Sequence, residues 1–144
     1  VGSSMRDCIK RAFGFLQGHK VEMGVAALFD TTDFHLEAID LLANRMKCEV
    51  GIAFLVAFVS ALRKMPATPG LVILGDLSIQ GNIKSVHTLA EPLQVAMENG
   101  ARRALIPLDN KRNFLEVSGD IIEKVDPVFY SDPHSACTKA MAAL

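Results

Sequence analysis

The sequence predicts one domain mixing helices and strands, in an α/β or α+β arrangement, and three observations carry that expectation. The chain has 144 residues, half of them hydrophobic, which suits a single core. Segments with apolar residues at helical spacing alternate with short apolar runs bounded by glycine, proline and asparagine. No internal repeat, low-complexity tract or linker divides the chain.

Taken in order, MRDCIKRAFGFLQG puts Met5, Cys8, Ile9, Ala12, Phe13 and Leu16 on one helical face and stops at Gly18. VEMGVAALFD (21–30) and FHLEAIDLL (34–42) run or alternate apolar around the turn-forming DTTD, so two adjacent strands, as in a hairpin, are expected. ANRMKCE is a charged connection, after which a long apolar helix runs from about Val50 to Lys64 and is broken by MPATPG. LVILGDLSIQGNI reads as two short strands around Asp76, with a turn at Gly81. A further helix spans about Thr88 to Asn99, with Gly100 as its terminating glycine. ARRALIPL is a strand. DNKRNFLEV and SGDIIEKV are short helical pieces with Asp109 and Ser118 as caps, VFYS is a last strand, and DPHSACTKAMAAL is a helix entered through Pro133. Its apolar positions Ala136, Cys137, Ala140, Met141 and Leu144 read first as core, then as an oligomer contact.

Composition excludes some function classes. Net charge is -1, from 15 basic and 16 acidic residues, with pI near 6.5, so no global field draws the chain to nucleic acid or anionic lipid. The uncharged run Val50–Leu62 is shorter than the ~20 residues of a membrane span, and no export leader opens the chain. The opening VGSSM is expected to be in part an expression remnant. Cys8, Cys48 and Cys137 are odd in number, widely spaced and form no CxxC pair, which argues against a disulfide framework and a structural zinc. A reducing, cytoplasmic location is expected.

The succession GDLSIQGNIKSVHTLAEPLQVAMENGARRALIPLDNKRNFLEV resembles the proteolytic domain of Lon, the ATP-dependent protease. There a strand pair reading roughly "tGeislrGkvlpig" leads into a helix opening "gLKEK" and then "aGik.viiP.eN..dl". Upstream, EVGIAFLVAFVSALRKMPATPG looks like the segment "GPSAGIAm..alvS.ltg.pv" that carries the family's catalytic serine, so the likeness runs from about Glu49 to the C-terminus. DFHLE (33–37) and VFYSDPHSACTKAMAAL (128–144) look still more like the Lon-related proteins of BREX phage-defence systems, which carry this domain at the end of a longer AAA+ ATPase. The resemblance implies an α+β fold with a twisted mixed sheet and packed helices. It also implies a single domain over residues 1–144, cytoplasmic, cut from a AAA+ parent, and a homo-oligomer of the six-membered-ring kind.

Lon-type proteolysis needs a serine nucleophile and a lysine whose pKa is lowered by a dry pocket. Placing LAE (89–91) on the family's LKE sets Ala90 at the lysine position, and placing EVG (49–51) on SAG sets Glu49 at the serine position. Both dyad members are therefore replaced, and the paired loss reads as a natural pseudo-protease rather than an engineered lysine knockout. On this alignment Glu49 and Ala90 approach one another across a shallow groove at the starts of two neighbouring helices.

Other candidates surround these positions. Lys47 and Cys48 precede Glu49, and Cys48 with His87 as base is the sharpest rescue of a nucleophile; the plainer reading makes Cys48 a small buried hydrophobe and His87 a solvent-facing residue at a helix start. Ser85 with Lys84 is disfavoured because adjacent residues on an extended chain face opposite ways. His19, His35, His87 and His134 lack ligand spacing, so no metal is expected, and His35 reads as a surface or interface residue. Arg102, Arg103, Lys111 and Arg112 form a basic cluster, read as a solvated strand end or a contact to acidic residues before a phosphate-binding patch. No GxxxxGK[ST] loop occurs, so ATP would bind elsewhere in a parent and this domain carries no cofactor. Three readings result: a non-proteolytic Lon-like domain for assembly or partner recognition, a peptidase with an unconventional nucleophile, and a nucleic-acid module touching DNA within a phage-defence ATPase.

Overall fold

The computed structural model describes residues 3–37 and 48–141. Helix α1 (Ser3–His19) is followed by the short α2 (Ala26–Asp30) and by α3 (Gly51–Arg63), then strand β1 (Leu71–Ile73) and a hairpin of β2 (Asp76–Leu77) and β3 (Ile83–Lys84). Helix α4 (Ala90–Glu98) leads to β4 (Arg103–Pro107), a 3-10 turn over Leu108–Asn110, α5 (Lys111–Phe114), α6 (Gly119–Lys124), β5 (Asp126–Tyr130) and α7 (Pro133–Met141).

The strands divide into a parallel three-stranded sheet in the order β1-β4-β5 and a separate antiparallel pair, β2 with β3. Leu71 pairs with Arg103 and Ile73 with Leu105, while Arg103 pairs with Asp126 and Pro107 with Tyr130. Parallel and antiparallel pairing are thus both present but lie in two sheets.

Strand alternation explains the layering. Leu71, Ile73, Leu105, Val128 and Tyr130 point into a core shared with α1, α3 and α7, whereas Val72, Leu74, Ala104, Ile106 and Phe129 point into a second core with α4, α5 and α6. A sheet covered on both faces must be apolar on both, which is why LVIL and ALIP are continuous apolar runs. Helix α1 buries Cys8, Ala12, Phe15 and Leu16 along one stripe. Helix α3 buries Ile52, Leu55, Val56, Phe58, Val59 and Leu62 and packs against both α1 and α7. Lys64 ends it in the left-handed region at φ 55, with its N–H bonded to Ala61 O and that of Met65 to Ser60 O.

One expected element is overturned. The stretch 21–30 is not a strand: residues 21–24 turn and 26–30 form α2, whose carbonyls at Ala27 and Leu28 accept the hydroxyls of Thr31 and Thr32. Those threonines satisfy the last turn of a helix instead of opening a hairpin. Phe34 sits in irregular chain and packs its ring against Phe13, Phe29 and Phe58, while His35 is exposed between the half-buried Phe34 and Leu36. The apolar alternation of FHLE was therefore a packing pattern without a strand beneath it. The remainder of that expected strand, AIDLL, the connection through Lys47, and Leu144 lie outside the described residues. Ser118 precedes α6 as its cap residue without a side-chain cap bond, whereas Asp109 falls inside the 3-10 turn and Asn110 precedes α5.

Candidate functional site

Glu49 stands where three chain segments converge: the lead-in to α3, the junction of β1 with the hairpin, and the stretch before α4, the helix that Ala90 opens. Gly75 N donates to Glu49 O at 2.9 Å and Ile52 N to Gly75 O at 3.1 Å, so the chain ahead of α3 is stitched to the β1–β2 junction. Cys48 N donates to Ser4 Oγ at 2.9 Å, joining the same segment to the start of α1. The Glu49 carboxylate accepts the backbone N–H of His87 at 3.1 Å. On the far side of that stretch the buried Asn110 receives Val86 N at 2.9 Å and donates to Val86 O at 3.0 Å, acting as a one-residue strand partner. Two side chains therefore hold the approach to α4.

Beneath lies an ion pair, buried at Asp76 and partly exposed at Arg11, that sequence reading missed. Asp76 Oδ2 accepts Arg11 Nη2 at 2.6 Å, and its Oδ1 accepts Leu77 N at 2.8 Å. The available signal was a single charge, Asp76, inside the apolar run LVILGDLSI, because a carboxylate there must find a partner. The Nε of Arg11 is buried without a hydrogen-bond partner among the described residues. Gly51 lies so close to Asp76 that a Cβ there would overlap Oδ1. Above the pair opens a cavity of about 400 Å³ lined by Arg11, Cys48, Glu49, Asp76, Lys84 and Ser85 among others.

Cys8 and Cys48 are joined by a disulfide with a Cα–Cα separation of 6.1 Å. This corrects the expectation that the cysteines form no bridge. Spacing of 40 residues hid the pairing, since only the packing of α1 against α3 brings the two within bonding reach. Cys48 is buried, as the plainer reading expected, but bridged rather than free, and a sulfur held in a bridge is no nucleophile for His87 to activate.

The other candidates are placed as follows. Glu49 lies two residues before α3 and Ala90 opens α4; the contact between these regions runs through His87 N, and the cavity wall on that side comes from Lys84 and Ser85. Ala90 and His87 are exposed. Lys84 and Ser85 line the same cavity despite the alternation rule, because β3 ends at Lys84. Arg102 and Arg103 stand at one end of β4, and Lys111 and Arg112 follow its other end. The strand that begins at Arg103 and the 3-10 turn after it lie between the pairs along the chain. Lys111 Nζ sits 5.9 Å from the centroid of Phe129. His19 and His134 share a second cavity with Phe15, and among the described residues no three of His, Cys, Asp and Glu converge as metal ligands.

Two groups are strongly perturbed. Burial pushes the Cys137 thiol up to about 12, with Arg63 opposing in part. Burial, reinforced by the Asp76 charge, lifts the Tyr130 phenol above its usual range, and its hydroxyl donates to Leu74 O. Both are protonated packing groups at neutral pH. No helix among the described residues is long and apolar enough to cross a membrane.

The sequence has known relatives. The profile of the Lon protease (S16) C-terminal proteolytic domain matches residues 1–142. A "Lon-like protease BrxL" of Escherichia coli O9:H4 (strain HS) is 30% identical over 139 residues, covering 96% of this chain and 20% of that protein. A "Lon protease" of Buchnera aphidicola subsp. Schizaphis graminum (strain Sg) is 29% identical over 124 residues, covering 85% of this chain and 16% of that protein. A second "Lon-like protease BrxL", of Bacillus cereus (strain H3081.97), is 26% identical over 136 residues, covering 94% and 20%. The chain thus spans about a fifth or less of the length of these relatives. With a helix-covered sheet, a hairpin docked on the start of α3 and a match along nearly its whole length, the chain belongs to the family of Lon C-terminal proteolytic domains.

Proposed function

We propose that this is a non-proteolytic Lon-like domain that supports the assembly of, or partner recognition by, a AAA+ protein. One observation carries the reading: the residue at the serine position, Glu49, is committed to the backbone N–H of His87 as a structural strut. Three others support it. Ala90 has no group to accept a proton, and its exposure offers no dry pocket that would lower a lysine pKa there. Cys48, the adjacent nucleophile, is held in a bridge. The two basic pairs stand before and after the apolar body of β4 instead of following one another along the chain. ATP would bind in a parent chain, and a closed homo-oligomeric ring in the cytoplasm, with DNA or other partners met through the parent, follows from the same reading.

The test is hydrolysis of short fluorogenic peptides by the purified domain and its Cys48→Ala variant, with and without reductant, beside an active Lon domain. Peptides need no unfolding motor, so a missing ATPase would not conceal an intact site. No turnover in either protein, with concentration-dependent association in sedimentation, is the expected result. Turnover lost in Cys48→Ala would overturn it and move the nucleophile to Cys48.

A further inference from the structure

We propose that Cys8 and Cys48 form a reversible thiol–disulfide exchange site, entered at Cys48 by a small thiol of the glutathione type. The two sulfurs differ in access. Both residues are buried, Cys8 completely on the core stripe of α1 and Cys48 with 7% of its surface exposed, and of the two Cys48 alone lines the 400 Å³ cavity, together with Arg11, Glu49 and Lys84. An incoming thiolate reaches Cys48 Sγ through that opening, and the sulfur behind it is the leaving group.

The step balances without any group held by the protein. A thiolate attacks Cys48 Sγ, forms a mixed disulfide there and breaks the bond to Cys8, which leaves as thiolate and takes a proton from water. A second small thiol attacks the mixed disulfide, releasing Cys48 as a thiol and the small molecule as its own disulfide. Two electrons and two protons pass to the protein, supplied by two equivalents of the small thiol.

Two features of the structure fit a bond made to open rather than a permanent staple. The segment carrying Cys48 is held without the sulfurs, by Cys48 N to Ser4 Oγ, Gly75 N to Glu49 O and His87 N to Glu49 Oε1, so reduction leaves it in place. The reduced state also has a partner prepared for it. Asp76 Oδ1 lies 3.8 Å from Cys8 Sγ, within reach of an S–H donor, while Arg11 holds the other carboxylate oxygen. In the bridged state that sulfur carries no proton to donate. Exchange therefore switches on and off the covalent tie between α1 and the segment bearing Glu49. Cys137, buried on α7, lines neither cavity and serves as an internal control.

The experiment equilibrates the native chain in graded mixtures of reduced and oxidised glutathione, quenches in acid, alkylates and locates the label by mass spectrometry, with circular dichroism recording the fold. The expected result is joint appearance of label at Cys8 and Cys48 as the mixture becomes reducing, its disappearance on reoxidation, an unchanged fold, and no label at Cys137. In the Cys8→Ser variant Cys48 takes up one glutathione; in Cys48→Ser, Cys8 takes up none. A bridge that resists reduction until denaturant is added, a pair that stays reduced throughout, or glutathione captured at Cys8 would each overturn the proposal. The wild-type titration stands even if a variant fails to fold, and none of these outcomes depends on peptide hydrolysis.

Discussion

Glu49 and Asn110 share one task, each holding the polypeptide ahead of α4 by a backbone group, and they differ in how deeply they are buried. Glu49 is half-exposed and makes one bond to His87 N, so Glu49→Ala is expected to lower stability by about 1 kcal/mol. Glu49→Gln retains the acceptor and is expected to be close to neutral. Urea midpoints of the two variants check this, and a large loss in the glutamine variant would point to a need for the charge itself. Asn110 is buried and serves both Val86 N and Val86 O. Truncation to alanine strands both groups, and a loss of about 3 kcal/mol is expected in the same measurement. Neither role was legible in the sequence: Asn110 stands in IPLDN as an ordinary turn residue, and Glu49 was identified by alignment with a serine whose chemistry it does not share.

At the scale of elements, helical periodicity proved the more dependable signal. α1, α3, α4 and α7 begin and end within a few residues of where their apolar spacing and their Gly100 and Pro133 boundaries place them. Strand reading failed at 21–30, where a short apolar run bounded by threonines serves a helix equally well, since four or five residues are too few for the two periods to diverge. The packing of α3 on the hairpin rests on Gly51, whose missing side chain leaves room for the Asp76 carboxylate. Gly51→Ala is expected to force Asp76 away from Arg11 and cost about 2 kcal/mol. Thermal and urea unfolding of that variant, compared with a control alanine substitution at the exposed Gly119, would show whether the close approach matters; equal effects would refute it.

For the whole molecule, the bridge between Cys8 and Cys48 closes a loop of 40 residues, and in the chain-entropy account its reduction lowers stability by about 4 kcal/mol. Urea unfolding with and without reductant measures this, and a difference near zero would mean that the reduced chain remains tethered by other means. Alkaline stability follows from the buried acids. Cys137 keeps its proton in the folded chain up to about 12, while an unfolded thiol loses it near 9.0. Above about pH 9 the unfolded state binds fewer protons than the native one, so stability falls as pH rises. Tyr130, displaced in the same direction, adds to the fall above pH 10. Oxidised protein titrated between pH 8 and 11 should weaken progressively, and Cys137→Ala should weaken less steeply; a flat profile would contradict the burial argument.

The helices with strong periodicity, the double-faced apolar strands LVIL and ALIP, and the family are all legible in the residue order, because motif order and spacing such as GDLSIQGNI before ARRALIPLDN are local features that survive in one dimension. That positions 49 and 90 carry glutamate and alanine is likewise a matter of residue identity. Only the folded chain shows the strut from Glu49 to His87, the Arg11 and Asp76 pair, and the Cys8–Cys48 bridge. Each joins residues 38 to 65 positions apart. No periodicity or short motif encodes such pairings. They exist only because α1 and the hairpin pack against the start of α3, and that packing is set by the summed burial of the core rather than by any of the residues it brings together.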